Sequence, residues 1–216
     1  MSRAEPSPAS RWVQRWSHLV APQASVLDVA CGSGRHVRWF VQRGCRVTGV
    51  DRDIAVVHAL ANLAEIVVAD IETGPWPLPG RRFDLVVVTN YLWRDLLPTL
   101  LASVADGGVL IYETFASGNE TVGKPANPAF LLRPGELLKA VEGLRVVAFE
   151  DGFEDGFEDG FEDRFEAGSN GSAQRFVQRV VAVRERPAAT APARHRLRPL
   201  AAGAGQVKSG DSQEPA

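Results

Sequence analysis

The stretch Val26–His36 constrains the fold of this chain more than any other. Its sequence, VLDVACGSGRH, runs from apolar residues around an aspartate into Gly-x-Gly and then into a segment suited to a helix start. This order predicts a strand, a tight turn and a helix. Glycine suits the turn because a Cβ would block a closely approaching ligand and because the backbone can need a positive φ there. In an α/β sheet such a turn presents backbone N–H groups to a nucleotide-like ligand, so the stretch predicts a binding site.

Apolar runs and helical patterns alternate along most of the chain. The predicted strands are 26–29, 46–50, 65–68, 83–88, 109–115, 145–149 and 175–183, and the predicted helices are 11–19, 35–42, 54–63, 98–104 and 135–141. The last two strands have no helical segment between them, which predicts an antiparallel hairpin. We therefore expect an α/β fold, with a doubly wound, mostly parallel seven-stranded sheet and a C-terminal antiparallel hairpin. The first helix, capped by Ser10, either packs on the sheet, which we favour, or covers the ligand turn as a lid.

Composition limits the domain count and the class of partner. With 216 residues and 45% hydrophobic content, the chain can form one globular domain, which we place at residues 10–186. Residues 1–9 and 187–216 are rich in Pro, Ser, Ala or Gly and are expected to be disordered. The net charge of −2 gives no support for a nucleic-acid or anionic-membrane partner. No apolar run approaches the roughly 18 residues needed to span a bilayer. Two cysteines form no metal cluster and indicate reduced thiols in a cytoplasm.

An acidic repeat follows the sixth predicted strand. The unit Glu150–Phe153 (EDGF) recurs at 154–157 and 158–161 and then decays. Because like charges crowd and glycine opposes order, we expect residues 150–172 to form a low-complexity, mobile tip of the hairpin. A cation-binding loop is the disfavoured alternative, since the repeat lacks the ligand pattern of an EF-hand.

Acidic side chains follow the next two predicted strands after the glycine turn. Asp51 follows the second strand, and its carboxylate suits two adjacent hydroxyls of a ribose. Asp70 follows the third strand and can accept from the exocyclic amine of adenine. Val37 stands where a dinucleotide fingerprint needs its third glycine, and Asp28 would repel a pyrophosphate. The pattern therefore favours an adenosine ligand with a cationic end, such as S-adenosylmethionine.

Taken together, Asp28–Gly34, Gly49–Asp51, Ala69–Asp70 and Asp106–Gly108 resemble, in order and spacing, the motifs of class I S-adenosylmethionine-dependent methyltransferases. More loosely, Phe130–Leu137 resembles the tellurite-resistance methyltransferase branch. The resemblance implies a Rossmann-like methyltransferase fold over roughly residues 26–183 and S-adenosylmethionine as cofactor.

The resemblance also implies which residues contact the cofactor. They are Asp28, Gly32, Gly34, Asp51, Arg52, Asp70, Ile71 and Asn90. The two glycines pass close to the methionine part, Asp51 holds the ribose, Asp70 lies beside adenine, and Arg52 or Ile71 flanks the ring. Asp28 orients the glycine turn or attracts the ammonium group. Asn90 follows the fourth strand, near the methyl donor.

The methyl acceptor is less constrained by the sequence. Residues 90–93 read Asn-Tyr-Leu-Trp, which departs from the [DN]-P-P-[YFW] signature of enzymes that methylate base amines, so a nucleic-acid acceptor is disfavoured. We expect a small-molecule or metalloid acceptor, with Asn90, Tyr91 and Glu113 as catalytic candidates. Further acceptor-side candidates are Trp93, Arg94, Asn119, Lys124 and Asn127. Each has an alternative: core packing for Trp93, surface ion pairing for Arg94, and solvent-facing charges for Glu113 and Lys124. An RNA or protein methyltransferase and a non-catalytic S-adenosylmethionine-binding protein are the rival functions.

Overall fold

The computed structural model describes residues 7–155, 174–187, 191 and 193–197, apart from the side chains of residues 56–58. Within them the strands are β1 (Ser25–Val29), β2 (Arg46–Asp51), β3 (Glu65–Val68), β4 (Phe83–Thr89), β5 (Val104–Phe115), β6 (Arg145–Asp155) and β7 (Gln174–Val183). They form one seven-stranded sheet in the order β3-β2-β1-β4-β5-β7-β6. β1 to β5 pair in parallel, whereas β7 runs antiparallel to β5 and β6. The predicted topology and its closing hairpin are confirmed.

The strand order reverses beside β1. From β1 the chain continues to β2 and β3 on one side and returns to β4 on the other. In open α/β sheets the crevice beyond the carboxyl ends of the strands at such a reversal is the usual ligand site. The glycine turn follows β1 and therefore lies at this crevice.

Side chains from the two faces of the sheet enter two separate cores. On β1, Val26 belongs to one core, and Leu27 and Val29 belong to the other. Burial on both faces explains why the central strands read as nearly continuous apolar runs. Below, "the α1 face" means the face whose core includes Val26, because helix α1 packs there.

The α-helices of the described residues are α1 (Arg11–Trp16), α2 (Arg35–Val41), α3 (Ile54–Leu60), α4 (Leu97–Ala102) and α5 (Glu136–Ala140). Ser10 caps α1 by accepting a hydrogen bond from the Val13 N–H through its side chain (3.3 Å). Trp12, Val13 and Trp16 of α1 are buried in the same core as Val26, so α1 packs on the sheet. None of these helices is long and apolar enough to cross a membrane.

The acidic repeat differs from its prediction. Its first six residues, Glu150–Asp155, continue strand β6 instead of opening a loop, with Glu154 opposite Arg175 and Gly152 opposite Val177. The arginines of β7 supply the positive charges that the repeat lacks. Because β7 is distant in sequence, the repeat alone does not reveal this pairing. Residues 156–172 of the predicted tip lie outside the described residues.

Two further expectations meet the structure in part. Within the predicted disordered ends, Ala9 is 5% exposed, and the backbone oxygen of Arg196 lies 2.8 Å from Nε2 of His18. Residues 1–6 and most of 187–216 lie outside the described residues.

Asp106–Gly108, predicted as a turn before the fifth strand, forms an irregularity inside β5, where Phe83 and Leu85 of β4 pair with Val104 and Val109.

Candidate functional site

The glycine turn leaves open space on its ligand side. Gly32 has φ +52°, and a Cβ built on it would meet no atom within 4 Å. Gly34 has φ +78°, and a Cβ built on it would clash with Cδ1 of Leu60. The two glycines therefore answer different demands: Gly32 borders a cleft, while Gly34 allows α3 to pack against the turn.

Asp51 ties the glycine turn to the end of β2. Its Oδ2 accepts from the Gly32 N–H at 2.8 Å, and its Oδ1 accepts from the Asp53 N–H at 3.0 Å. An ionised carboxylate offers about four lone-pair positions, so two remain for ligand hydroxyls. The structure thus gives Asp51 a role in shaping the turn in addition to the predicted contact with a ribose.

Asp70 organises the loop that follows β3. One carboxylate oxygen accepts from the backbone N–H groups of Glu72 and Thr73 (2.9 and 3.2 Å), and the other accepts from the Thr73 hydroxyl (2.6 Å). These hydrogen bonds lower the pKa of Asp70, and the one from the Thr73 hydroxyl has the largest effect. Asp70 therefore stays ionised and can accept hydrogen bonds at the cleft.

Most of the predicted cofactor residues surround one cleft, which is partly open to solvent. The lining residues are Ala30, Gly32, Asp51, Arg52, Ala69, Asp70, Ile71, Glu72, Asn90 and Tyr91. Glu72 was not predicted; the Asp-x-x-Thr pattern at 70–73, which favours an Asp-capped turn, is the signal that could have found it.

Asn90 and Tyr91 bring unpartnered polar atoms to this cleft. Oδ1 of Asn90 and the hydroxyl of Tyr91 are buried and have no hydrogen-bond partner among the described residues. Asn90 adopts φ +54°, a conformation uncommon for a residue with a side chain. Its backbone N–H donates to the Glu113 carbonyl at 2.9 Å, and the Tyr112 hydroxyl donates to the Tyr91 carbonyl, also at 2.9 Å. These two hydrogen bonds hold the backbone at Asn90 and Tyr91. A ligand in the cleft could then form hydrogen bonds with the unpartnered polar atoms of the two side chains.

Asp28 does not line the cleft. It is 1% exposed and lies on the α1 face, with Oδ1 4.0 Å from Nδ1 of His36 and with Oδ2 lacking a hydrogen-bond partner among the described residues. Burial raises the pKa of Asp28 to about 7 despite the nearby charge of Arg35 and a hydrogen bond from the Val37 backbone. Asp28 therefore holds the first turn of α2, whereas Asp51 makes the carboxylate contact to the backbone of the glycine turn.

Glu113, predicted on the acceptor side, lies apart from the cleft. Its side chain is fully buried on the α1 face, where its Oε2 accepts a hydrogen bond from Nε of Arg179 and lies 3.7 Å from Nη2 of Arg175. The alternation of strand residues turns its side chain toward the arginines of β7. This placement corrects the assignment of Glu113 to the acceptor side.

The other acceptor-side candidates are largely engaged elsewhere. Arg94 binds both carboxylate oxygens of Glu136 (2.7 and 3.0 Å) and the carbonyls of Ala129 and Leu131 (2.6 and 2.8 Å). Asn119 is 1% exposed and bridges the Pro125 carbonyl and the Phe176 N–H. The remaining three comprise Trp93, which packs against the core, Asn127, which caps a short 3₁₀ helix, and Lys124, which is exposed.

The chemistry of the cleft follows from its polar atoms. Two carboxylates, Asp51 and Asp70, lie at the ends of neighbouring strands, and Asn90 adds an amide oxygen. All three can accept hydrogen bonds, so the cleft suits a ligand rich in hydroxyl and amine donors. The gap beside Gly32 admits a ligand close to the backbone.

Comparison with known proteins agrees with this geometry. Residues 26–107 match the family model described as a methyltransferase domain. Malonyl-[acyl-carrier protein] O-methyltransferase of Salmonella typhimurium is 33% identical over 104 residues, which cover 44% of this chain and 41% of that protein. The chain thus matches less than half the length of this relative.

Solved structures share the fold. TehB from Haemophilus influenzae superposes with a TM-score of 0.64 at 18% identity, covering 78% of this chain and 60% of that one. A TehB-like SAM-dependent methyltransferase from Corynebacterium glutamicum gives a TM-score of 0.54 at 19% identity, covering 81% and 87%. Residues 26–107 thus match a methyltransferase domain, and the described sheet has the fold of these S-adenosylmethionine-dependent methyltransferase structures.

Proposed function

We propose that this chain transfers the methyl group of S-adenosylmethionine to a small-molecule or metalloid acceptor by in-line displacement. The observation that carries the proposal is the cleft itself, where Gly32, Asp51, Asp70 and Asn90 meet at the reversal of strand order. The free cysteines Cys31 and Cys45 favour a cytoplasmic location, which belongs to the same proposal.

Each residue has a chemical role in this proposal. Asp51 accepts from the ribose hydroxyls with the lone pairs that Gly32 and Asp53 leave unused. Asp70, kept ionised by its loop, accepts from the adenine amine, and Arg52 and Ile71 flank the ring.

S-adenosylmethionine supplies an activated methyl group on a sulfonium, so the protein's task is positioning. Holding donor and acceptor in line can contribute roughly 7–11 kcal/mol. The Asn90 amide oxygen accepts a hydrogen bond from the ligand's donors beside the methyl group. Burial raises the pKa of Tyr91, so its hydroxyl stays protonated and orients an acceptor instead of serving as a base. A thiolate or oxyanion acceptor needs no general base, which agrees with the placement of Glu113 away from the cleft.

Calorimetry with S-adenosylhomocysteine tests the cofactor site. We expect micromolar binding by the wild type and at least a tenfold weaker Kd in Asp51→Ala, because a hydrogen bond to a charged group contributes about 1.5–3 kcal/mol. Asp106→Ala is the matched control, since this exposed aspartate pairs with Arg82 and does not line the cleft. Equal affinities in Asp51→Ala and Asp106→Ala would remove the ribose assignment.

A turnover screen tests the acceptor class. Release of S-adenosylhomocysteine is measured with carboxylic acids, thiols, tellurite, selenite and bulk RNA. Carboxylic acids are included because the curated relatives are named as O-methyltransferases of a malonyl group. Turnover with RNA alone would refute the small-molecule assignment, and tight binding without turnover across the screen would favour a non-catalytic binder.

A further inference from the structure

His36 stands where four segments of the chain meet. It is 2% exposed, on the first turn of α2 and two residues after Gly34. Its Nε2 accepts a hydrogen bond from the backbone N–H of Ser10 at 3.2 Å. Its Nδ1 lies 3.5 Å from Oγ1 of Thr89 and 4.0 Å from Oδ1 of Asp28. The imidazole therefore touches the segment before α1 and the ends of β4 and β1.

The contact with Ser10 fixes the tautomer of the ring. Because Nε2 accepts the Ser10 N–H, the proton of a neutral imidazole must be on Nδ1, facing Thr89 and Asp28. Burial holds the pKa of His36 well below its ordinary value, so the ring is neutral at physiological pH. His36 thus connects the backbone N–H of Ser10 to the side chains of Thr89 and Asp28.

Both ends of this link have consequences for the proposed site. Ser10 is the N-cap of α1, and its side chain is fully buried. α1 then packs over β5 and β7, and the guanidinium of Arg179, in the middle of β7, lies 5.8 Å from the Trp12 ring. At the other end, Thr89 immediately precedes Asn90, whose side chain lines the cleft.

We infer that His36 is a positioning residue that couples the docking of α1 to cofactor binding through the Ser10 N–H. The inference rests on the proposed function, because it assigns a support to the same cleft. With α1 docked, the ring holds the start of α2 and the end of β4 in the arrangement that forms the cleft. Cofactor binding, which stabilises that arrangement, in turn stabilises the docked α1.

Two substitutions at residue 10 isolate the hydrogen bond without altering His36. Ser10→Ala removes the capping hydroxyl but keeps the N–H, whereas Ser10→Pro removes both. Ser10 has φ −53°, which lies within the range that a proline ring adopts, and a residue at this position needs no intrahelical N–H partner. The difference between the two variants therefore reports on the N–H that His36 accepts.

The experiment measures the Kd for S-adenosylhomocysteine and amide hydrogen exchange of residues 11–16 with and without this ligand. We expect Ser10→Pro to bind about fivefold more weakly than Ser10→Ala, the equivalent of about one neutral hydrogen bond. The ligand should slow exchange in α1 of Ser10→Ala and leave α1 of Ser10→Pro nearly unaffected. In a His36→Leu background the two Ser10 variants should bind alike, and His36→Gln, which retains an acceptor, should restore part of the difference.

The outcomes separate this inference from the proposed function. If the wild type binds S-adenosylhomocysteine and the two Ser10 variants bind it equally, the coupling is refuted and the methyltransferase proposal stands. If the difference between the Ser10 variants persists in His36→Leu, the N-terminal segment acts through another residue and the assignment to His36 is overturned. If the folded wild type binds no S-adenosylhomocysteine, both are overturned.

Discussion

The buried carboxyl of Asp28 leads to a prediction about stability. Asp28 has an ordinary pKa of 3.8 and a folded-state pKa of about 7, raised chiefly by burial. A group whose pKa is higher in the folded state stabilises the fold fully below its unfolded pKa, and this contribution is lost as pH rises through the folded value. The folded protein should therefore become less stable between pH 4 and pH 7 on account of this residue.

The size of the effect follows from the two pKa values. Since each tenfold change in proton affinity corresponds to about 1.4 kcal/mol, ionisable Asp28 costs about 2 kcal/mol at pH 5 and about 4 kcal/mol at pH 8, relative to a neutral side chain. Asp28→Asn removes this dependence. We expect the unfolding free energy of the variant, minus that of the wild type, to increase by about 2 to 3 kcal/mol from pH 5 to pH 8. Any constant effect of the amide cancels in this comparison.

Urea denaturation at several pH values measures the difference. Asp84→Asn is the control, because hydrogen bonds from Ser25 lower the pKa of Asp84 and confine its effect to acid pH. The competing arrangement is an ion pair between a charged Asp28 and a charged His36, which are 4.0 Å apart. In that case the variant would lose stability relative to the wild type at neutral pH, and such a result would refute the assignment of a neutral pair.

Three further substitutions test other contacts. Arg94→Lys cannot reproduce the paired hydrogen bonds to Glu136 and should lower the unfolding free energy by about 1–3 kcal/mol in urea; an unchanged midpoint would show that this clamp contributes nothing. Glu154→Gln removes a carboxylate partner of Arg179 and should cost about 1–3 kcal/mol by the same assay, against less than about 1 kcal/mol for the more exposed Glu150→Gln. Hydrogen bonds from Arg81 and Thr48 lower the pKa of Glu65 from 4.5 to about 2, so its stabilisation is complete above about pH 4.5 and is lost toward pH 2. Because this pair is exposed, Glu65→Gln should remove less than about 1 kcal/mol, and a loss that persists at pH 2 would contradict the pairing.

The parallel part of the sheet could be predicted because its signals are local. β1 and β4 are nearly continuous apolar runs, which are typical of strands buried on both faces. The carboxyl ends of parallel strands share one edge, so Asp51 and Asp70 could be placed together before their contacts were seen. Both do line one cleft with Gly32.

What could not be predicted depends on partners distant in the chain. Glu113 lies near the end of its strand, as Asp51 does, but its carboxylate is bound by Arg179, 66 residues further on. The start of the acidic repeat has poor strand propensity, and it extends β6 where Arg175 and Arg179 of β7 face its glutamates. Asp28 belongs to the motif that resembles the methyltransferase family. Its side chain nevertheless lies on the α1 face, away from the cleft, because side chains alternate along β1.

The sequence of the strand formed by Glu150–Asp155 does not depend on how many copies of the repeat follow it. Its six residues, EDGFED, begin a tandem array whose units are identical for three copies. When replication slippage inserts or removes one whole unit, the residues that follow Phe149 again read EDGFED. Glutamates then return to the positions opposite Arg179 and Arg175. Variants with a different number of repeat units should therefore keep the same residues in this strand and differ only after it. The array can then change in length while the ion pairs with Arg175 and Arg179 are kept.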